Sequence, residues 1–193
     1  MKLAIFASGN GSNFAALLRA SQTGALAGEI ALLVCDRAEA LVIERAKSQG
    51  IATLVFNPRA FETKAAFEKM IAQRLVELTI ELVVLAGYMR LIGPTLLAAY
   101  EGRIINLHPS LLPLYPGKAA IEQAYNAGDA QTGITIHYVD AGMDTGRPIA
   151  QFKVPRLKTD TLDQLEERIH QAEYKHYPAV IQALIQSKGT VAK

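Results

Sequence analysis

Lys2-Leu3-Ala4-Ile5-Phe6-Ala7-Ser8-Gly9-Asn10-Gly11-Ser12-Asn13 opens the chain and decides how the rest is read. An apolar run, Leu3 to Ala7, ends in a Ser-Gly-Asn-Gly turn and passes straight into a helix-period segment, Asn13 to Ala20. The run does not alternate with polar residues, as expected of a strand covered on both faces. The unit then repeats. Ile30 to Val34, Thr53 to Phe56, Leu82 to Ala86 and Ile104 to Leu107 read as strands, with helices at Ala40 to Gln49, Ala60 to Leu78 and Pro94 to Tyr100. Pro58 and Pro94 stand where helices begin, and a missing N–H costs nothing there. This alternation predicts a doubly wound α/β fold: a mostly parallel sheet, right-handed crossovers and flanking helices.

After Pro109 the pattern changes. A helix is expected over Ala119 to Ala127, and two hairpin-like strands, Gly133 to Tyr138 and Pro148 to Val154, around an Asp-rich loop. A long helix follows from about Leu162 to Gln186, capped by Thr161 or Asp160 and bent or broken by Pro178. No repeat or linker divides the 193 residues, so one domain over 1–193 is expected. Half of the residues are hydrophobic and 20% charged, which excludes a disordered chain. A formal charge of +2 without a basic run argues against a nucleic-acid partner. No stretch reaches membrane-spanning length, and the first strand leaves no room for a signal peptide. The one cysteine, Cys35, cannot form an internal disulfide and reads as a small buried hydrophobe at a strand end. A cytoplasmic protein is expected, a monomer or homodimer acting on small molecules.

Four motifs carry chemistry. Gly11, Ser12 and Asn13 lie where a glycine turn meets a helix start, a natural cradle for phosphate. The dinucleotide fingerprint competes, with Asp36 as its acidic residue, but Phe14 stands where its third glycine belongs. Gly87-Tyr88-Met89-Arg90-Leu91-Ile92 could line a slot for a flat heterocycle, or simply pack on the core. Asn106 and His108, in Asn106-Leu107-His108-Pro109-Ser110, end a parallel strand at the sheet edge where such folds bind ligands. Asp144, in Asp140-Ala141-Gly142-Met143-Asp144-Thr145-Gly146, could hold the imidazole of His108; turn chemistry is the other reading, and it fits Asp140 better.

An amide, an imidazole and a carboxylate with no Ser or Cys nucleophile suit direct acyl transfer. The first two can hold an oxyanion and the third can hold the imidazole. Ser110 lacks the elbow of a nucleophile. His137, His170 and His176 are scattered and suggest no metal site; His137 reads as a buried or edge polar residue.

These motifs together resemble the phosphoribosylglycinamide formyltransferases, over nearly the whole chain. The resemblance implies a Rossmann-like formyltransferase fold, 10-formyltetrahydrofolate as co-substrate, no metal, and glycinamide ribonucleotide as acceptor in purine biosynthesis. It places the acceptor's phosphate on Gly11, Ser12 and Asn13, and the remainder against His170, Gln171 and Glu173. It places the folate against Met89, Arg90, Leu91, Ile92, Asn106 and Asp140, with Lys64 near its glutamate tail. Asn106 and His108 would stabilise the tetrahedral oxyanion, and Asp144 would favour the charged form of His108. Two positions depart from the pattern: Lys64, where some members carry Arg, and Arg147 between Gly146 and Pro148.

The rival of the same fold is formyltetrahydrofolate hydrolase, which adds an N-terminal regulatory domain; none is expected ahead of a strand that starts at the second residue. Methionyl-tRNA formyltransferase adds a C-terminal RNA-binding domain. A nicotinamide-dependent dehydrogenase domain or a non-catalytic nucleotide-binding module leaves Asn106, His108 and Asp144 without a shared purpose.

Overall fold

The computed structural model describes residues 1–191. In chain order the elements are β1 (Lys2–Phe6), α1 (Ser12–Gln22), β2 (Glu29–Cys35), α2 (Leu41–Lys47), β3 (Ala52–Val55), α3 (Lys64–Glu77), β4 (Leu82–Leu85) and α4 (Pro94–Ala99). Then come β5 (Ile104–His108), α5 (Ala120–Ala127), β6 (Gln131–Tyr138), β7 (Pro148–Pro155) and α6 (Leu162–Val191). The seven strands form one sheet in the order β3-β2-β1-β4-β5-β6-β7. Strands β1 to β5 pair in parallel, and β6 and β7 join antiparallel. The strand order reverses between β1 and β4, the switch point at which open α/β sheets bind ligands.

The core explains the central strand's sequence. Leu3, Ile5 and Ala7 face one apolar cluster with Phe14, Leu17 and Ile169, while Ala4 and Phe6 face another with Phe67, Ile71 and Leu96. Both faces of β1 are covered, so alternation has nothing to select. Each large side chain buried this way stabilises the fold by about 1.5–3 kcal/mol. Cys35 ends β2 fully buried, and burial pushes its thiol pKa up. No helix of the described residues is long and apolar enough to cross a membrane.

Two expected boundaries are corrected. The third helix begins at Lys64, not Ala60. Pro58 instead opens a one-turn 3-10 segment, Pro58–Ala60, capped by the Asn57 side chain, which accepts from the Arg59 N–H at 3.0 Å. Thr63 is extended and caps α3 by accepting from Ala66 N at 3.2 Å. Pro178 does not break the last helix, which continues from Leu162 to Val191. Proline removes one helical hydrogen bond, but Tyr177 and Ile181 beside it are fully buried, and Tyr177 Oη donates to Leu85 O at 2.9 Å. At the start of α6, Thr161 Oγ1 accepts from Gln164 N at 3.3 Å and Gln164 Oε1 from Thr161 N at 2.9 Å, a capping box. Asp160 is bound instead to Arg168, whose guanidinium holds its carboxyl down at about 2.

Candidate active site

Strand alternation puts Asn106 and His108 on the same face of β5. The antiparallel register sets Asn106 opposite His137 and His108 opposite Thr135. The β6–β7 loop then folds Asp144 over this polar face. Asp144 adopts φ +56°, a left-handed conformation uncommon outside glycine.

Asp144 is the hub. Its Oδ2 lies 3.3 Å from His108 Nδ1 and accepts from Gly117 N at 2.8 Å. Its Oδ1 accepts from Asn106 Nδ2 at 3.3 Å and lies 3.5 Å from His137 Nε2. Burial pushes the Asp144 pKa up, but the neighbouring His137, the Gly117 N–H and the His108 ring outweigh it, and the net direction is down.

The two histidines differ in their second nitrogens. His137 Nδ1 donates to Tyr138 O at 2.8 Å, leaving its Nε2 to accept from Asn106 Nδ2 at 3.1 Å. His108 Nε2 lies 2.8 Å from Tyr115 O, a group that can only accept. Both nitrogens of His108 therefore face acceptors, and only the doubly protonated ring donates to both. The expected catalytic trio does meet, within a network that also includes His137, Gly117 and the Tyr115 carbonyl. Ser110 bonds the local backbone, its Oγ donating to Leu114 O at 2.5 Å.

The β1–α1 loop lies at the same sheet edge. Gly11 caps α1 with φ +77°, and a Cβ there would stand 2.5 Å from Val42 Cγ2. Asn10 Oδ1 accepts from Ser12 N at 2.9 Å. Asn13 Nδ2 donates to Glu173 Oε2 at 2.9 Å, and His170 Nδ1 lies 3.0 Å from the same oxygen. Asn13 Oδ1 is buried without a hydrogen-bond partner among the described residues. Asn13, His170 and Glu173 thus form one cluster, and Glu173 is only 4% exposed. Gln171 does not join it. One residue on from His170 is a turn of about 100° around a helix, and the Gln171 side chain donates to Glu167 at 2.6 Å on the exposed side.

The hydrogen bond with Glu173 raises the His170 pKa; burial opposes this, and the charges of Glu173, Glu166 and Glu167 add to it. A raised folded-state pKa means stabilisation fully present below about 6.5 and lost as pH rises through the folded value. The thermal midpoint is therefore expected to fall between pH 6 and pH 8, more in the wild type than in His170→Gln. Equal slopes in the two proteins would contradict this role.

The segment after β4 presents Met89 and Leu91, 64% and 55% exposed, while Ile92 is buried in the core and does not line a slot with its side chain. Arg90 lies over the Phe67 ring at 5.7 Å, with Nη1 3.7 Å from Asp36 Oδ2. Lys64 Nζ is 3.9 Å from Glu68 Oε1, and its Cε borders Gly93 at the end of the segment. Asp36 accepts from Ser8 Oγ at 2.6 Å. Asp140 Oδ1 braces its own loop, accepting from Gly142 N at 3.0 Å and Thr145 Oγ1 at 2.8 Å. Tyr88 and Val139, at the heads of the two loops, pack on the same apolar cluster. Arg147 places its guanidinium over the Tyr138 ring and accepts the Tyr138 N–H on its carbonyl at 3.0 Å.

An amide, two imidazoles and a carboxylate thus meet at the end of β5, on the sheet edge that also carries the glycine loop. The chain belongs to the formyl transferase family, which residues 1–181 match. It is similar to phosphoribosylglycinamide formyltransferase of Bacillus subtilis strain 168, 53% identical over 95% of this chain and 94% of that one. The enzyme of the same name from Escherichia coli K12 is 36% identical over 94% of this chain and 85% of its own. Among solved structures, phosphoribosylglycinamide formyltransferase from Bacillus halodurans has a TM-score of 0.93 at 50% identity, covering 96% of this chain and 95% of that one. Glycinamide ribonucleotide transformylase 1 from Geobacillus kaustophilus has a TM-score of 0.93 at 55% identity, covering 95% and 97%. The Rossmann-like formyltransferase fold expected from the sequence is the fold observed.

Proposed function

We propose that this protein transfers a formyl group from 10-formyltetrahydrofolate to the amine of glycinamide ribonucleotide, in de novo purine biosynthesis. The observation that carries the reading is the meeting of Asn106, His108 and Asp144 at the sheet edge, beside the Asn13–Glu173 cluster. We further read it as a single domain of the cytoplasm, monomeric or homodimeric, with small molecules as its partners.

The acceptor's phosphate rests on Gly11, Ser12 and Asn13, its ribose on Glu173, and its free amine approaches the polar face of β5. The donor's pterin lies against the exposed Met89 and Leu91 and the Asp140–Asp144 loop. The amine attacks the formyl carbon. A tetrahedral oxyanion forms, and its collapse breaks the bond to the folate nitrogen. The amine gives up a proton and the departing folate nitrogen takes one, so no net acid or base is consumed. No acyl-enzyme forms: Cys35 is fully buried, and the Ser110 hydroxyl is committed to Leu114 O.

His108 supplies its Nε2–H to the oxyanion. In the structure that hydrogen points at Tyr115 O, a neutral acceptor; the charged oxyanion is the stronger one and displaces it. Asp144 holds the opposite nitrogen and keeps the ring aimed. Asn106 adds its amide beside it.

Steady-state kinetics of Glu173→Gln test the ligand placement. The KM for glycinamide ribonucleotide is expected to rise about tenfold or more, since a charged acceptor of hydrogen bonds is lost, with donor KM nearly constant. A shift in the donor's KM instead would place the folate, and not the acceptor, on α6.

A further inference from the structure

We propose that Ser8, Asp36 and Glu68 are positioning residues for the formyl donor's loop, and that Ser8 serves this loop although it stands in the acceptor's glycine motif. The proposal rests on the placement of the donor against Met89 and Leu91 given above.

Asp36 and Glu68 are 9% and 2% exposed, and Ser8 is 2% exposed. A buried carboxylate is costly unless it is hydrogen-bonded. Here both are committed to one segment. Ser8 Oγ donates its hydrogen bond to Asp36 Oδ1 at 2.6 Å, which leaves the Ser8 oxygen free to accept from the Met89 N–H at 3.0 Å. The Ser8 N–H also donates to Gly87 O at 3.0 Å. At the far end, Glu68 accepts Gly93 N at 2.5 Å and Leu96 N at 3.3 Å. Residues 89 to 93 therefore hang between two buried anions, with Met89 and Leu91 exposed between the anchor points. Arg90 completes the first anchor, facing Asp36 on one side and Phe67, the neighbour of Glu68 on α3, on the other.

The acceptor loop has separate anchors on α2. Val42 N donates to Gly9 O at 3.2 Å, Arg45 Nε donates to Asn10 O at 2.9 Å, and Gly11 abuts Val42. Removing the Ser8 hydroxyl therefore unties Met89 and leaves the acceptor's cradle where it is.

The test is calorimetric binding of tetrahydrofolate, without acceptor, to wild type, Ser8→Ala, Asp36→Asn, Glu68→Gln and Leu91→Ala, alongside the KM for glycinamide ribonucleotide. Ser8→Ala is expected to bind tetrahydrofolate about tenfold more weakly, as for a lost hydrogen bond in a charged chain, with acceptor KM within about twofold. Asp36→Asn still accepts from Ser8 but lacks the charge, so about threefold is expected, and likewise for Glu68→Gln. If Ser8→Ala does not fold, by circular dichroism, these two carry the test. Equal weakening of both substrates overturns the proposal, as does unchanged tetrahydrofolate binding in the brace variants while Leu91→Ala is weakened. Unchanged binding in Leu91→Ala overturns the donor placement itself, and the brace with it.

Discussion

His108→Ala is expected to lower kcat by roughly 10²–10³ while the protein folds normally, the usual loss when one donor to a developing oxyanion is removed. The size follows from what the ring does. Its Nδ1 faces Asp144, and its Nε2, which meets the Tyr115 carbonyl in the structure, is the proposed oxyanion donor, so an alanine removes that donor. Substrate KM values should change little, because the interaction strengthens only in the transition state. Asn106→Ala should cost a similar factor. The two losses should combine less than multiplicatively, since both side chains are bound to the same carboxylate. Turnover near wild type in either variant would remove the oxyanion from this face of β5.

Asp144→Asn is expected to lose on the order of 10²–10⁴ in kcat, by analogy with an amide replacing a carboxylate that orients a catalytic histidine. Four groups converge on this carboxylate: His108, Asn106, His137 and the Gly117 N–H. An amide offers one acceptor and one donor where Gly117 and His108 on one side and Asn106 on the other each need an acceptor, so one of the two sides loses its partner. Its lowered pKa keeps the wild-type carboxylate charged throughout the neutral range. Its stabilising contribution is thus present above about pH 4 and lost as pH falls through the lower folded value. Thermal midpoints of wild type and Asp144→Asn, measured as a function of pH, should converge as pH falls below about 4. A midpoint difference that persists, with kcat unchanged, would make Asp144 only a turn residue.

The strands of this fold were legible because parallel strands buried on both faces are continuous in Val, Ile, Leu and Ala. The β5 motif and its partner Asp144 were legible because polar side chains at the carboxyl end of such a strand need a reason. The helix around residue 60 was misplaced because two adequate starting signals, Pro58 and Thr63, stand five residues apart, and only packing chooses between them. Pro178 misled in the opposite sense: local propensity argued for a break, and buried neighbours on either side overrode it.

The residues missed at the site have a common cause. His137 joins Asn106 only through the antiparallel register of β5 and β6, a pairing that alternation along β6 alone does not specify. Tyr115 and Gly117 contribute a backbone carbonyl and a backbone N–H, which every residue type supplies and no sequence motif announces. Ile92 and Gln171 were grouped with their neighbours by proximity in sequence, whereas turn and helix geometry point them into the core and out to solvent. Ser8 and Asp36 were both visible, one as part of a glycine motif and one as a candidate ribose acid. Their bond to each other was not, because it depends on β1 and β2 ending side by side.

The most direct measurement is the fate of the formyl carbon. With 10-formyltetrahydrofolate labelled at the formyl group with ¹³C, the purified protein should release tetrahydrofolate only when glycinamide ribonucleotide is present. Carbon-13 NMR should then show the label as a formamide on the acceptor, one for each tetrahydrofolate released. Tetrahydrofolate released at the same rate without acceptor, with the label appearing as free formate, would contradict transfer and make the site that of a hydrolase.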